Sequence, residues 1–313
     1  MFIPVYLWRF FLAFRSCHYF NMWLSIELNL VAFLAIIKLS THRRLEVNTI
    51  KYFLRQALGS ILLVLGALAR QVSPLAEHSE EVILISLLLK LGIFPFQEWL
   101  ISISFTTSFR ELWLISIPQK IIPIWFLIHV RTDRFIIGVS VGLGVVIRLL
   151  GGIRGNRRLT ILAYSSLINT RWVAFLVLNV DSFCLFYLIY GTSLYLLMQN
   201  LASNNLLLGS PQVSQISWVS QLAIMAAFLN IAGVPPLLNI WRKGLLLKRL
   251  LCTNQLIPFL LFTSSRAGFL YIYLRFCLRL IRFRVKRVCW KTGWTKKISP
   301  GLLVYSSFLA FLF

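Results

Sequence analysis

Runs of about twenty mostly apolar residues recur along this 313-residue chain, and only short loops separate them. Such a chain has few ways to fold. A spanning helix needs about 20 apolar residues, and lipid offers no hydrogen-bond partner to an open backbone. Hydrophobic residues make up 58% of the chain and charged residues 13%, the latter against about 25% in an average soluble domain. That balance excludes an ordinary soluble protein and a disordered chain. It leaves an all-α polytopic membrane protein. If about two thirds of the chain lies in spans, roughly ten or eleven fit. The expected spans are 2–20, 22–38, 52–72, 82–100, 112–130, 135–152, 160–179, 182–200, 216–250, 255–278 and 299–313. No stretch is long and polar enough for a soluble domain, so 1–313 reads as a single transmembrane domain.

The charge balance needs its own explanation. There are 32 Lys+Arg against 9 Asp+Glu, a net charge of +23. On a soluble protein this would point to nucleic acid, but here the basic residues punctuate membrane spans, and no nucleic-acid partner is expected. The loops alternate in character. One side carries Lys38, Arg43, Arg44 and Lys51, then Arg110, then Arg154, Arg157 and Arg158, and ends in a basic run over 279–297. The other side holds Glu77, Glu80, Glu81 and Asp181 with a few arginines. The positive-inside rule places the first set, and the N-terminus, on the cytoplasmic or matrix side. Such a face suits anionic lipid such as cardiolipin. The N-terminal sequence has neither the layout of a signal peptide nor that of an Arg-rich, Ser-rich presequence. Five cysteines form no CxxC pair and four histidines are scattered, so neither a metal nor an iron–sulfur site is expected.

Four ionisable residues sit where spans are expected: Glu27, Lys90, Lys120 and Lys243. A charge near the bilayer centre costs from about 2.5 kcal/mol upward, so it usually faces a bundle interior or water and has a function. Blander readings exist for each. Glu27 could pair with Arg55, Lys120 could snorkel, and Lys243, with Arg242, Lys248 and Arg249 nearby, could belong to an interfacial helix. Their setting favours function. Lys90 precedes an interruption at Gly92 and Pro95, and Lys243 follows one at Gly233, Pro235 and Pro236. The two broken spans are fourth in each of two expected five-helix repeats, about 1–130 and about 135–280, with a C-terminal helix at about 299–313. Paired broken spans of this kind mark inverted-repeat transporters, where the break lies beside an ion site. Burial disfavours a charged lysine and a nearby carboxylate favours it, so a change of partner can switch it.

Seven strings in order carry a resemblance to a known family. They are WLSIELNLVAFLAII, EVNTIKYFLRQALGSILL, LLLKLGIFPFQEWL, PQKIIPIWFL, GGIRGNRRLTILAYSSL, LNIAGVPPLLNIWRKG and FLYIYLRFCLRLI, spread over about residues 22–280. Together they resemble the subunit 2 family of mitochondrial NADH:ubiquinone oxidoreductase (respiratory complex I), an antiporter-like membrane subunit. The second resembles a KYFL-x-QA string, the third a K-L-G-x-x-P-F-x-x-W stretch and the sixth a GG-x-PP-x-x-G-F-x-x-K break. Departures include Gln97, where the family often has His, Asn239, Arg242 and Arg171.

The resemblance implies two inverted five-helix repeats and a proton-translocating role in the membrane arm. It implies that Glu27 and Lys90 are the charged pair of the first half-channel. Lys120 is then the central lysine, and Lys243 the charged residue of the second half-channel. It also implies an inner mitochondrial membrane location, an organelle-encoded chain with fewer first helices than bacterial relatives, and other membrane-arm subunits as partners. No cofactor is expected in this chain, with FMN, iron–sulfur clusters and ubiquinone belonging to partner subunits. Two other readings stay open: a stand-alone cation/proton antiporter of the same fold, and a structural subunit whose buried charges serve assembly.

Overall fold

The computed structural model describes residues 8, 10, 13–15, 19–40, 46–72, 76–104, 107–130, 138–140, 142–145, 151–152, 158–176, 180–203, 218–234, 239–252 and 256–285. All regular structure among them is helical. In chain order the elements are α1 (Tyr19–Ser40), α2 (Glu46–Ala69), α3 (Ala76–Leu91), α4 (Glu98–Ser104), α5 (Phe109–Ser116) and α6 (Pro118–His129). They continue as α7 (Arg158–Leu176), α8 (Val180–Ser203), α9 (Trp218–Ala232), α10 (Asn239–Cys252) and α11 (Leu256–Val285). The span expected at 299–313, most of that at 2–20, and Pro235 and Pro236 lie outside the described residues. Only short helical pieces of the 135–152 span are described.

The helices do not match the expected spans one to one. The spans expected at 82–100 and 216–250 are each two helices, α3 with α4 and α9 with α10. The span expected at 112–130 is also divided. Ser108 and Glu111 form a reciprocal cap that starts α5, with Ser108 N donating to Glu111 Oε2 at 2.8 Å. Pro118 then occupies the first position of α6 and has no N–H to continue the ladder. Among the described residues three segments are long and apolar enough to cross a membrane: Tyr19–Ile37, Thr49–Ala69 and Phe109–His129.

The chain forms two compact units. The first is Met1–Arg148 with Leu162–Phe183, and the second is Leu149–Ile161 with Cys184–Phe313. In the first, α1, α2, α3 and α6 bury Leu30, Phe33, Leu63, Leu87 and Ile122. Two glycines let α2 and α3 approach closely, as small residues do between membrane helices. A Cβ on Gly66 would meet the Ile83 backbone nitrogen at 3.1 Å and the Ser79 carbonyl at 3.2 Å. A Cβ on Gly59, two turns earlier, would stand 2.9 Å from Lys90 Cγ. In the second unit α9, α10 and α11 pack together, burying Phe228 and Ile231 of α9 and Phe269 and Tyr273 of α11.

On the outward face of α2, Ile50, Leu54, Leu58, Ile61, Leu65 and Leu68 are exposed at intervals of three and four residues. This apolar stripe follows the helical period, and such a surface fits lipid far better than water.

Candidate functional site

The two helix breaks share one geometry. A helix leaves its last four carbonyls without intrahelical donors. At the end of α3, Gly92 takes φ 66°, a left-handed conformation that glycine adopts without penalty. Its N–H donates to Leu89 O at 3.1 Å, and Ile93 N donates to Leu88 O at 2.9 Å, the pattern of a Schellman cap. At the end of α9, Gly233 takes φ 77°. Its N–H is shared between Leu229 O (3.0 Å) and Asn230 O (2.9 Å), and Val234 N donates to Leu229 O at 3.2 Å.

Side chains also donate to carbonyls at each break. At the first, Trp99 Nε1 from α4 donates to Leu89 O at 3.3 Å. Gln56 Nε2 from α2 donates to Lys90 O, also at 3.3 Å. At the second, Lys243 reaches back from α10. Its Nζ donates to Ile231 O at 2.8 Å and also to Ala232 O. The ammonium therefore sits on the open end of α9, where the carbonyl dipoles point. Asn230 Oδ1 accepts from both the backbone N (3.3 Å) and the side-chain Nδ2 (3.2 Å) of Asn239, which ties α9 to the start of α10.

All three lysines are buried: Lys90 is 3% exposed, Lys120 1% and Lys243 8%. Lys90 Nζ donates to Gln56 O at 3.3 Å. Lys120, on the third residue of α6 after the Pro118 junction, donates to Thr170 Oγ1 at 2.9 Å. Thr170 Oγ1 in turn donates to Ser166 O at 2.7 Å. Glu27 is half-buried on α1. Among the described residues it forms no ion pair with Lys90. Its expected alternative partner, Arg55, instead pairs with Glu98 of α4 at 3.5 Å. After the break that ends α3, α4 packs against α2 and brings Glu98 to Arg55.

Lys90 and Lys120 line one small cavity in the first unit. Its other walls include Asn29, Tyr52, Gln56, Trp99 and Gln119. The space suits about one water molecule. Asn29 and Gln119 clasp each other: Asn29 Nδ2 donates to Gln119 O at 3.4 Å and Gln119 Nε2 to Asn29 O at 3.3 Å. Tyr52 Oη donates to Gln119 Oε1 at 3.5 Å. Asn29 Oδ1 is buried without a hydrogen-bond partner among the described residues, as expected of an acceptor that faces a water-sized space. The arrangement places two ammonium-bearing side chains around a polar pocket in an apolar bundle. Lys243 belongs to the second unit and has its own environment at the end of α9. Among the described residues no group of three or more His, Cys, Asp or Glu could hold a metal ion.

No family model matches the chain. Individual proteins do. NADH-ubiquinone oxidoreductase chain 2 of Artemia franciscana is 29% identical over 299 residues, covering 94% of this chain and 92% of that one. Chain 2 of Hylobates lar is 27% identical over 281 residues, covering 85% and 79%.

The chain is similar to NADH-ubiquinone oxidoreductase chain 2 over most of its length.

Its fold agrees. A chain of respiratory complex I from Thermus thermophilus superposes with a TM-score of 0.77 at 20% identity, over 94% of this chain and 74% of that one. Beside its chain 2 relatives, some of the site was not anticipated from the sequence. The polar lining from Asn29, Tyr52, Gln56 and Gln119, with Thr170 as the acceptor of Lys120, is one such part. The junction at Pro118 is another. A signal for both was present. Asn29 lies two residues after Glu27, Gln119 lies next to Lys120, and Pro118 and Pro123 bracket that lysine. Arg55 and Glu98, from the strings KYFLRQA and KLGIFPFQEW, are paired in space.

Proposed function

We propose that this chain is a proton-translocating membrane-arm subunit of respiratory complex I in the mitochondrial inner membrane, with its N-terminus on the matrix side. Protons move by way of Glu27, Lys90, Lys120 and Lys243 with intervening water. Lysines buried in an apolar bundle supply groups that can hold and release a proton. The polar cavity shared by Lys90 and Lys120 supplies room for the water between two of them. That shared cavity is the observation that carries the reading. The matching Schellman caps beside Lys90 and before Lys243 support two inverted repeats, each with a broken helix next to its lysine.

The chain supplies the path and not the driving energy. Moving one charge against 100 mV costs about 2.3 kcal/mol. That energy comes from NADH-to-ubiquinone electron transfer in partner subunits, which hold the FMN, the iron–sulfur clusters and the quinone. The other membrane-arm subunits are the partners, and cardiolipin meets the basic loops. Lys90→Met tests the role of the first lysine. In an assembled complex it should leave electron transfer detectable and reduce protons pumped per electron. A variant that assembles and pumps normally would make the buried charge structural.

A further inference from the structure

The second unit contains no Asp or Glu side chain. All 9 Asp+Glu of the chain fall in Met1–Arg148 or Leu162–Phe183, while more than half of the 32 Lys+Arg fall in the other unit. Among the described residues most of those cations lie near helix ends. Arg266 does not. It is the one charged residue in the first nineteen residues of α11, LIPFLLFTSSRAGFLYIYL. At 1.5 Å per residue it lies about 15 Å from Leu256 and about 13 Å from Arg275. In the span expected at 255–278 that is near the middle of a hydrocarbon core about 30 Å thick. Snorkelling serves long cationic side chains near helix ends, and Arg266 has no near end.

Its surroundings leave the charge open. The guanidinium carbon lies 5.6 Å from the centre of the Phe262 ring, a contact that holds the stem in place. Among the described residues it takes part in no ion pair. Arg266 is half-buried and adjoins the outward face of α11. On that face Leu260, Tyr271, Leu274 and Leu278 are exposed, at 40–63% of their surface. An unpaired arginine at this depth is costly, and such residues pair or face a water-filled space.

We infer that the outward face of α11 docks a transmembrane helix of a partner subunit, and that this helix places an aspartate or glutamate against Arg266. The chemistry argues for a carboxylate over lipid. Phosphate headgroups sit at the bilayer surface, beyond reach of a side chain at mid-depth, and a planar guanidinium matches a carboxylate in a two-point contact. The apolar residues on either side supply the packing surface for a helix of matching length. The inference uses none of the lysines of the proposed path and holds whether or not the chain moves protons.

The test uses the assembled complex in its native membrane, with a photoreactive residue at Ala267 and mass spectrometry of the adduct. The expected adduct is to a partner chain, within one helical turn of an Asp or Glu. Adducts to lipid alone, or to residues 1–148 or 162–183 of this chain, would overturn the inference. A second readout is retention of the chain in the complex on native gels. Arg266→Gln should lower it at least about tenfold, because it strands a carboxylate in the interface. Replacing the cross-linked acid by its amide in the same background should restore part of the loss. Full retention of the Arg266→Gln variant would also overturn it.

Discussion

Gln56 and Lys90 hold each other through two 3.3 Å hydrogen bonds, each from one residue's side chain to the other's backbone carbonyl. The pairing fixes a buried lysine at the end of a broken helix and closes one carbonyl that the break exposes. It also leaves the lysine stem pressed on α2 at Gly59.

Gly59→Ala should therefore disturb Lys90 directly. The added Cβ would stand 2.9 Å from Lys90 Cγ and 3.3 Å from Lys90 Cε. Lys90 is buried, so its stem has little room to yield. The expected cost is about 1–3 kcal/mol, as for other overpacked sites. It should appear as earlier thermal unfolding of the assembled complex together with fewer protons pumped per electron. A normal proton ratio in a well-assembled variant would show that Lys90 tolerates displacement.

Gly233→Ala should be the more damaging change at the second break. The backbone there is left-handed at φ 77°, which costs a non-glycine residue roughly 1–2 kcal/mol. The new Cβ would also fall 2.7 Å from Lys243 Cδ. Gly244→Ala, in α10 beside the same lysine, is the control. Nothing lies within 4 Å of its added Cβ, and alanine favours a helix by up to about 1 kcal/mol. The pair separates damage at the lysine from a general effect on this region when both are compared by thermal unfolding.

The sequence made much of this visible, and for physical reasons. Gly and Pro punctuate a helix wherever they fall, so the breaks near Gly92 and Gly233 could be read without coordinates. A lysine inside an apolar run stands out because lipid gives it no solvent. Partners were another matter. That Lys90 meets Gln56 O, Lys120 meets Thr170 and Lys243 meets Ile231 O depends on how helices distant in sequence pack. Arg55 shows the same limit. The sequence left Glu27 open as its partner, and the course of the chain after the break gave it Glu98 instead. The junction at Pro118 escaped because α5 and α6 together keep the length and polarity of one span.

The Arg55–Glu98 pair should couple weakly. Its side chains are 41% and 79% exposed in the isolated chain, and exposed pairs give about 0.2–1 kcal/mol. A double-mutant cycle with Arg55→Gln and Glu98→Gln, read by thermal unfolding of the complex, should return a coupling in that range. Coupling of several kcal/mol would mean that neighbouring subunits bury the pair.

Thr170→Val should loosen Lys120 without removing it. The variant deletes the acceptor 2.9 Å from the ammonium and is close in shape. Leaving a buried donor unmet costs roughly 1–3 kcal/mol. Thr170→Ser keeps the hydroxyl and should restore most of the stability and proton pumping, which a purely steric role for the threonine would not predict.

Lys120→Ala bears most directly on the proposed passage of protons by way of the buried lysines. The measurement is protons translocated per electron by the assembled complex in sealed vesicles, with electron transfer recorded in parallel. Passage by way of the lysines requires a reduced proton ratio in a complex that still assembles and still carries electrons. An unchanged ratio in such a complex would contradict it.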